Sequence, residues 1–322
     1  MPGFASSFLG CSIPSPRVSS PPFDMKPNVL SSMGQRTEEP AISWLMAAAL
    51  SRPALISLAA GFTDNASLPV RETRRLLDDI LLTKKSGQAA LQYGSTAGDE
   101  TLRRLTAQHL QRLDVLAGPP PLPVRRRGVA ATEAAGRTLI TGGSQQLLYL
   151  TLEALCDPGD IVLVEDPTYF VFLSILQGRG IRARGVKLDR DGLDLAHLEN
   201  VLERLKKSGE LRRVKALYLV SYFQNPSGAT TSFAKKSAAL KLLKKFERAA
   251  GHPIYLIEDA AYRELRFTGT DVPSALAAGG AAERVIYTGT YTKPFATGAR
   301  VGFGLLPEPL LTAVKRIKGN HD

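Results

Sequence analysis

Strands alternating with helices between residues 138 and 318 predict an α/β protein built on a mostly parallel sheet covered on both faces. Two observations carry this reading. Short apolar runs such as Val214–Val220 have the character of fully buried strands. Between them lie segments with apolar residues at helical spacing, such as Leu195–Lys207 and the basic, amphipathic Phe233–Ala250.

Taken in order, residues 1–40 are rich in Ser and Pro and read as a flexible tail. Ile42–Leu50 predicts a helix, and Ala54–Ala59 a short strand leading to Gly61. Thr73–Leu82 and Thr101–Leu113 read as amphipathic helices. Gly118–Gly136 carries Pro119-Pro120-Pro121, Pro123 and Arg125-Arg126-Arg127 and reads as an exposed loop. Then come strand Thr138–Thr141, helix Gln145–Leu155, strand Asp160–Val164, helix Phe170–Gln177 and strand Ile181–Val186. Beyond the segments already named, strands are expected at Ile254–Ile257, Arg284–Thr288 and Val301–Leu306. A last helix begins at Glu308 and runs to Lys318.

Composition narrows the class. The chain has 322 residues, 44% of them hydrophobic, which suits one large domain with smaller pieces. No run of about 18 apolar residues is present, so no membrane span is expected. The start does not have the pattern of a secretory signal. Two cysteines, Cys11 and Cys156, suggest neither a disulfide framework nor a metal site. A reducing, cytoplasmic setting fits. The formal charge of +11 is spread along helix surfaces and loops, so no nucleic-acid partner is expected, though the excess favours anionic ligands.

Open α/β sheets bind ligands beyond the carboxyl ends of their strands. The polar residues at those places are therefore informative. Gly142-Gly143-Ser144-Gln145 follows a strand and opens a helix, which makes an anion site, although Ser144 alone equally fits a helix cap. Tyr169 follows Glu165-Asp166-Pro167-Thr168 and can stack on a flat ring or simply pack on the next helix. Asn225, in Gln224–Gly228, can donate to a phenolate oxygen or serve an ordinary turn. Asp259 can hold a protonated pyridine nitrogen or cap a helix, and Tyr262 lies three residues on. Lys293 follows the small polar run from Thr288 through Thr290, and Arg300 follows Gly298 and Ala299. They suit a nucleophilic amine and a phosphate clamp, or two surface cations.

As a set, these stretches resemble the motifs of fold-type-I pyridoxal-phosphate (PLP) aminotransferases of class I/II. Together with Leu91-Gln92-Tyr93-Gly94 and Asp157-Pro158-Gly159-Asp160, they are most similar to the 2-aminoadipate and kynurenine aminotransferase branch. The resemblance covers roughly residues 42–322. It implies the three-layer α/β/α PLP-transferase fold, with an N-terminal arm and small-domain segment over 41–90 and a PLP-binding large domain over 91–322. It also implies pyridoxal 5'-phosphate as cofactor, amino acid and 2-oxo acid as substrates, and a homodimer with shared sites. On the family pattern, Lys293 carries the cofactor as a Schiff base and moves the substrate proton. Asp259 pairs with the ring nitrogen, Asn225 and Tyr262 bond the ring oxygen, and Tyr169 stacks on the ring. Ser144, Gln145, Thr290 and Arg300 hold the phosphate. Tyr93 reaches the phosphate in the neighbouring subunit, and Gly61 and Asn225 border the substrate.

Thr290 and Thr292 stand where the family more often has Ser, which keeps the hydroxyl. Gly61-Phe62-Thr63-Asp64 lacks the Gly-x-Pro often found there, and the stretch 118–128 resembles an insertion. Family members continue into a C-terminal small domain whose arginine binds the substrate carboxylate. The sequence ends before it, so a fragment or a truncated gene is expected. Beside transamination stand a PLP-dependent C–S lyase, a PLP binder without catalysis, and a PLP-sensing regulator. The last is disfavoured because the tail has no helix-turn-helix pattern.

Overall fold

The computed structural model describes residues 29–322 apart from 53, 57–60, 62 and 119–130. Of the strand expected at 54–59, residues 54–56 are turn and irregular backbone with Ile56 exposed, so no strand starts there, while 57–59 and most of the expected loop 118–136 lie outside the described residues. The first described elements are helices α1 (Ser32–Arg36), α2 (Ala41–Leu50), α3 (Val70–Leu81), α4 (Lys84–Leu91), α5 (Glu100–Leu116) and α6 (Ala131–Gly136). Strand β1 (Thr138–Thr141), α7 (Ser144–Leu155), β2 (Ile161–Asp166), α8 (Phe170–Arg179), β3 (Arg182–Asp189) and β4 (Gly192–Leu193) follow. The remainder is α9 (Leu195–Lys207), β5 (Val214–Val220), α10 (Phe233–Ala250), β6 (Tyr255–Asp259), β7 (Val285–Thr290), β8 (Gly302–Leu305) and α11 (Leu310–Gly319).

The strands form one sheet in the order β1-β8-β7-β6-β5-β2-β3-β4. The central ladder β3-β2-β5-β6-β7 is parallel. Strand β8 runs antiparallel between β7 and β1. It follows that β1, β2, β5, β6 and β7 all end at one edge, and β8 begins there. Strand β2 feeds β3 on one side while β5 feeds β6 on the other, so β2 and β5 flank the point where strand order reverses.

Helices cover both faces. Leu147 and Leu148 of α7, Phe172 and Leu176 of α8 and Val314 of α11 pack on Val162, Val164, Tyr218 and Ile257. Leu198 and Leu202 of α9 with Leu240 and Leu243 of α10 pack on Leu163, Leu217, Leu219 and Leu256. Each such fully buried side chain contributes about 1.5–3 kcal/mol. A third cluster joins Ala107 and Leu110 of α5 and Ala134 of α6 to Tyr287, Phe303 and Leu305.

Several features differ from the sequence reading, helix α4 and the short strand β4 among them, neither of which it placed. The tail contains α1, which tertiary bonds hold on α8: Arg36 donates to the Gly178 carbonyl and Gln177 to the Arg36 carbonyl. The expected loop contains α6. Strands β2, β6 and β7 also run further than expected, because the ladder continues through pairs such as Asp166 with Lys187 and Val220 with Asp259. Asp259 and Thr290 are thus the last residues of their strands, Glu165 is the last but one of β2, and none of them is a loop residue.

Candidate active site

The strand ends converge on an open cleft with a cavity volume of about 110 Å3, lined by Ser144, Gln145, Leu148, Tyr169, Val220, Asp259, Ala261, Tyr262, Thr290, Thr292, Lys293 and Arg300. Eight residues singled out from sequence form part of its wall: Ser144, Gln145, Tyr169, Asp259, Tyr262, Thr290, Lys293 and Arg300.

In one part of the cleft the N-terminus of α7 and the Arg300 guanidinium form a cradle. Helices α5, α9 and α10 are capped by Asp99, Asp194 and Ser232, whose side chains accept N–H bonds of the first turn. Helix α7, like α2, α3, α8 and α11, has no such cap; Gly143 stands at that place with φ 91°. Its first N–H groups therefore point outward with the positive end of the helix dipole. Glycines make the cradle tight. A Cβ on Gly143 would lie 2.8 Å from Arg300 Nη2, and one on Gly302 would lie 2.3 Å from the Gly143 carbonyl carbon. Arg300 itself adopts φ 50°, uncommon for a residue with a Cβ, and this turn brings its guanidinium over Gly143. The Thr290 hydroxyl is committed locally, donating to the Val301 carbonyl and accepting from the Thr292 N–H. The Thr292 hydroxyl is buried and has no partner.

The floor is Asp259, 4% exposed at the end of β6. Burial pushes its carboxyl up to about 6, while bonds from the Tyr218 hydroxyl and the Ala261 N–H pull it down. Those bonds are 2.8 and 3.1 Å long. At neutral pH Asp259 is therefore largely ionised. Tyr169 and Tyr262 rise beside it. Burial pushes the Tyr169 phenol up to about 12, with further upward pressure from Tyr262 and Asp259. Burial also raises Tyr262, against a hydrogen bond from Asn225. Asn225 thus reaches the cleft through Tyr262. Lys293 Nζ lies 5.8 Å from the centre of the Tyr262 ring. Its ammonium is held below the ordinary lysine range, first by desolvation and then by the Arg300 charge.

Buried polar contacts fix the loops. Gln224 donates to the Pro167 carbonyl at 2.7 Å and to Glu165 Oε2 at 3.3 Å, which joins the Tyr169 and Asn225 loops. Glu165 Oε2 also accepts from the Val220 N–H at 2.9 Å.

Two expected residues lie elsewhere. Tyr93 is 99% exposed. Gly61 is exposed, with no neighbour within 4 Å of where its Cβ would be. Tyr218, by contrast, was not singled out by the sequence reading. It is one apolar-looking residue inside the β5 run, and only its register with β6 puts its hydroxyl on the Asp259 side. No group of three or more His, Cys, Asp or Glu side chains suited to a metal occurs among the described residues.

Comparison with known proteins bears on this geometry. The chain is 33% identical over 83% of its length to an uncharacterized aminotransferase of Saccharolobus solfataricus, of which it covers 60%. It is 32% identical over 83% of its length to the 2-aminoadipate transaminase of Thermus thermophilus, of which it covers 59%. The solved α-aminoadipate aminotransferase of Thermus thermophilus, complexed with N-(5'-phosphopyridoxyl)-L-leucine, superposes with a TM-score of 0.72. It shares 29% identity, over 91% of this chain and 65% of that one. The chain thus spans about 60% of the length of these curated relatives. Residues 53–321 match the family model for aminotransferase class I and II, and with the α/β architecture and the sheet-edge cleft in place, the chain belongs to that family.

Proposed function

We propose that the cleft binds pyridoxal 5'-phosphate and serves an aminotransferase that moves an amino group between an amino acid and a 2-oxo acid. The observation that carries this reading is the convergence of Lys293, Asp259 and an uncapped helix N-terminus with Arg300 at one sheet edge. The residues fit the group. The N–H groups of α7, the Arg300 guanidinium and the partnerless Thr292 hydroxyl suit a phosphate dianion. Asp259, ionised and desolvated, suits a cationic ring nitrogen. Tyr262 and Asn225 suit a phenolate oxygen at the ring's other side.

Bound there, the cofactor supplies an electron sink for the bonds at the substrate Cα. The chain supplies the rest. Lys293, its charged form disfavoured by desolvation and by Arg300, is the amine that would attach the cofactor and would take and return the Cα proton. Asp259 would keep the ring nitrogen protonated. Tyr169, which lines the same cleft, would stack on the ring.

The same reading includes a homodimer in which Tyr93 reaches the phosphate of its partner's site. Its full exposure supports this, as do the exposed Leu76, Leu77, Ile80 and Leu81 on α3. It also includes a reducing compartment, in keeping with the free, buried Cys156. No described helix is long and apolar enough to cross a membrane.

The test is the absorption spectrum of the purified chain with PLP, beside Lys293→Ala, followed by addition of amino acids. A visible band in the unaltered protein alone is expected, fading as amino acids are converted. A Lys293-dependent band that no amino acid bleaches would confine the function to cofactor binding. No band in either protein would overturn the reading.

A further inference from the structure

We infer that Tyr218 is a positioning residue for Asp259, fixing one carboxylate oxygen so that the other is presented, ionised, to the ring nitrogen of a bound cofactor. The inference rests on the reading of the cleft as a PLP site. Tyr218 is wholly buried in β5, two residues before Val220, the partner of Asp259 on β6. Side chains two residues apart on neighbouring parallel strands share a face, so the phenol points along the sheet toward Asp259. Its hydroxyl donates to Asp259 Oδ2 at 2.8 Å. The ring cannot swing away, because it stacks on Phe172 with centroids 3.7 Å apart and an interplanar angle of 12°.

The chemistry of the pair is one-sided. A phenol has a single proton to give. Burial and the Asp259 charge raise Tyr218 well above the ordinary phenol range, so it stays neutral and acts as a donor. A carboxylate accepts that proton more strongly than a carboxylic acid does. The bond therefore favours the ionised form in a place where desolvation favours the neutral one. The Ala261 N–H on Oδ1 fixes the other oxygen's orientation. The remaining titratable groups around Asp259 are Glu165, Tyr169 and Tyr262, with Lys293 and Arg300 lining the same cleft. None of these donates a hydrogen bond to the Asp259 carboxylate.

The experiment compares the unaltered chain with Tyr218→Phe, which keeps the ring and its stack. In the apo-proteins, carbon-13 NMR follows the Asp259 carboxyl, assigned through Asp259→Asn. Its titration midpoint is expected to rise by about one pH unit in Tyr218→Phe, the scale of one charge-assisted bond. In the PLP-loaded proteins, nitrogen-15 NMR of labelled cofactor is expected to move toward the unprotonated pyridine shift in the variant. Thermal melting of both proteins separates this from general loosening. If Tyr218→Phe does not fold, the Tyr218 ring carbons of the unaltered protein give the second measurement and must shift as Asp259 titrates. An unchanged midpoint and ring-nitrogen shift, or Tyr218 carbons indifferent to Asp259, would overturn the inference while leaving the Lys293-dependent band intact. Absence of that band in the unaltered protein would overturn the inference and the PLP reading together.

Discussion

Lys236 offers a sharp test of what holds the site's central strand in place. Its ammonium lies 2.9 Å from Glu258 Oε1, and both side chains are wholly buried. It donates to the Pro273 carbonyl at 3.1 Å and sits 3.9 Å above the Tyr222 ring. Glu258 Oε2 in turn accepts from the Ala275 N–H at 2.7 Å. Glu258 precedes Asp259 on β6, so this pair anchors the strand from the side opposite the cleft. Lys236→Met leaves a carboxylate in the core without its counter-charge, a change that costs about 3–5 kcal/mol. Lys236→Met with Glu258→Gln removes the stranded charge and keeps an acceptor for Ala275. The Pro273 carbonyl then loses its donor, at about 1–3 kcal/mol, and the Tyr222 ring loses its cation. The double variant should therefore stand above the single one by roughly 2 kcal/mol. Urea unfolding followed by far-ultraviolet circular dichroism measures all three proteins. A single variant within about 1 kcal/mol of the unaltered chain, or a double variant less stable than the single, would show that the pair is not a charge-balanced anchor.

Two more predictions follow from the cleft and its support. Arg300→Ala should weaken PLP binding about 10- to 100-fold, the scale of a lost charge-assisted phosphate contact, in a fluorescence titration. Arg300→Lys should restore part of the affinity, because it keeps the charge but loses the fork. Glu165 is pushed by burial from an ordinary 4.5 up to about 8. The folded chain then holds a proton that the unfolded chain releases, so this carboxyl lowers stability progressively as pH rises from 4.5 to 8. Below that window its contribution is full. Glu165→Gln keeps an acceptor for Val220 and should match the unaltered chain near pH 5 but exceed it at pH 9. Equal pH dependence of the two melting curves would refute this assignment.

Much of this architecture was legible in the sequence. The bounds of α9, β5 and α10 match the predicted segments, because their periodicity is strong and their ends carry readable signals. Asp194 and Ser232 cap the two helices, and Gly251 ends α10 with φ 81°. Helix α4 had such a signal too, since the Thr83 side chain accepts from the Ser86 N–H, but its weak apolar pattern hid it. Helix α1 spans only five residues, too few for local propensity to specify, and it depends on the bonds from α8.

The sequence by itself determined the family, the alternation of strands and helices, and most of the residues that meet in the cleft. These are local properties, since apolar period, caps and short motifs are written in neighbouring residues. Tertiary structure alone decided which side chains support those residues. Tyr218 serves Asp259 because β5 pairs with β6 in one register, and a shift of one residue would turn it to the other face. Gln224 joins two loops that are 57 residues apart in the chain. Arg300 reaches Gly143 because β8 inserts antiparallel between β1 and β7. Such contacts depend on register and strand order, which arise from packing the whole sheet and are not encoded in any short segment.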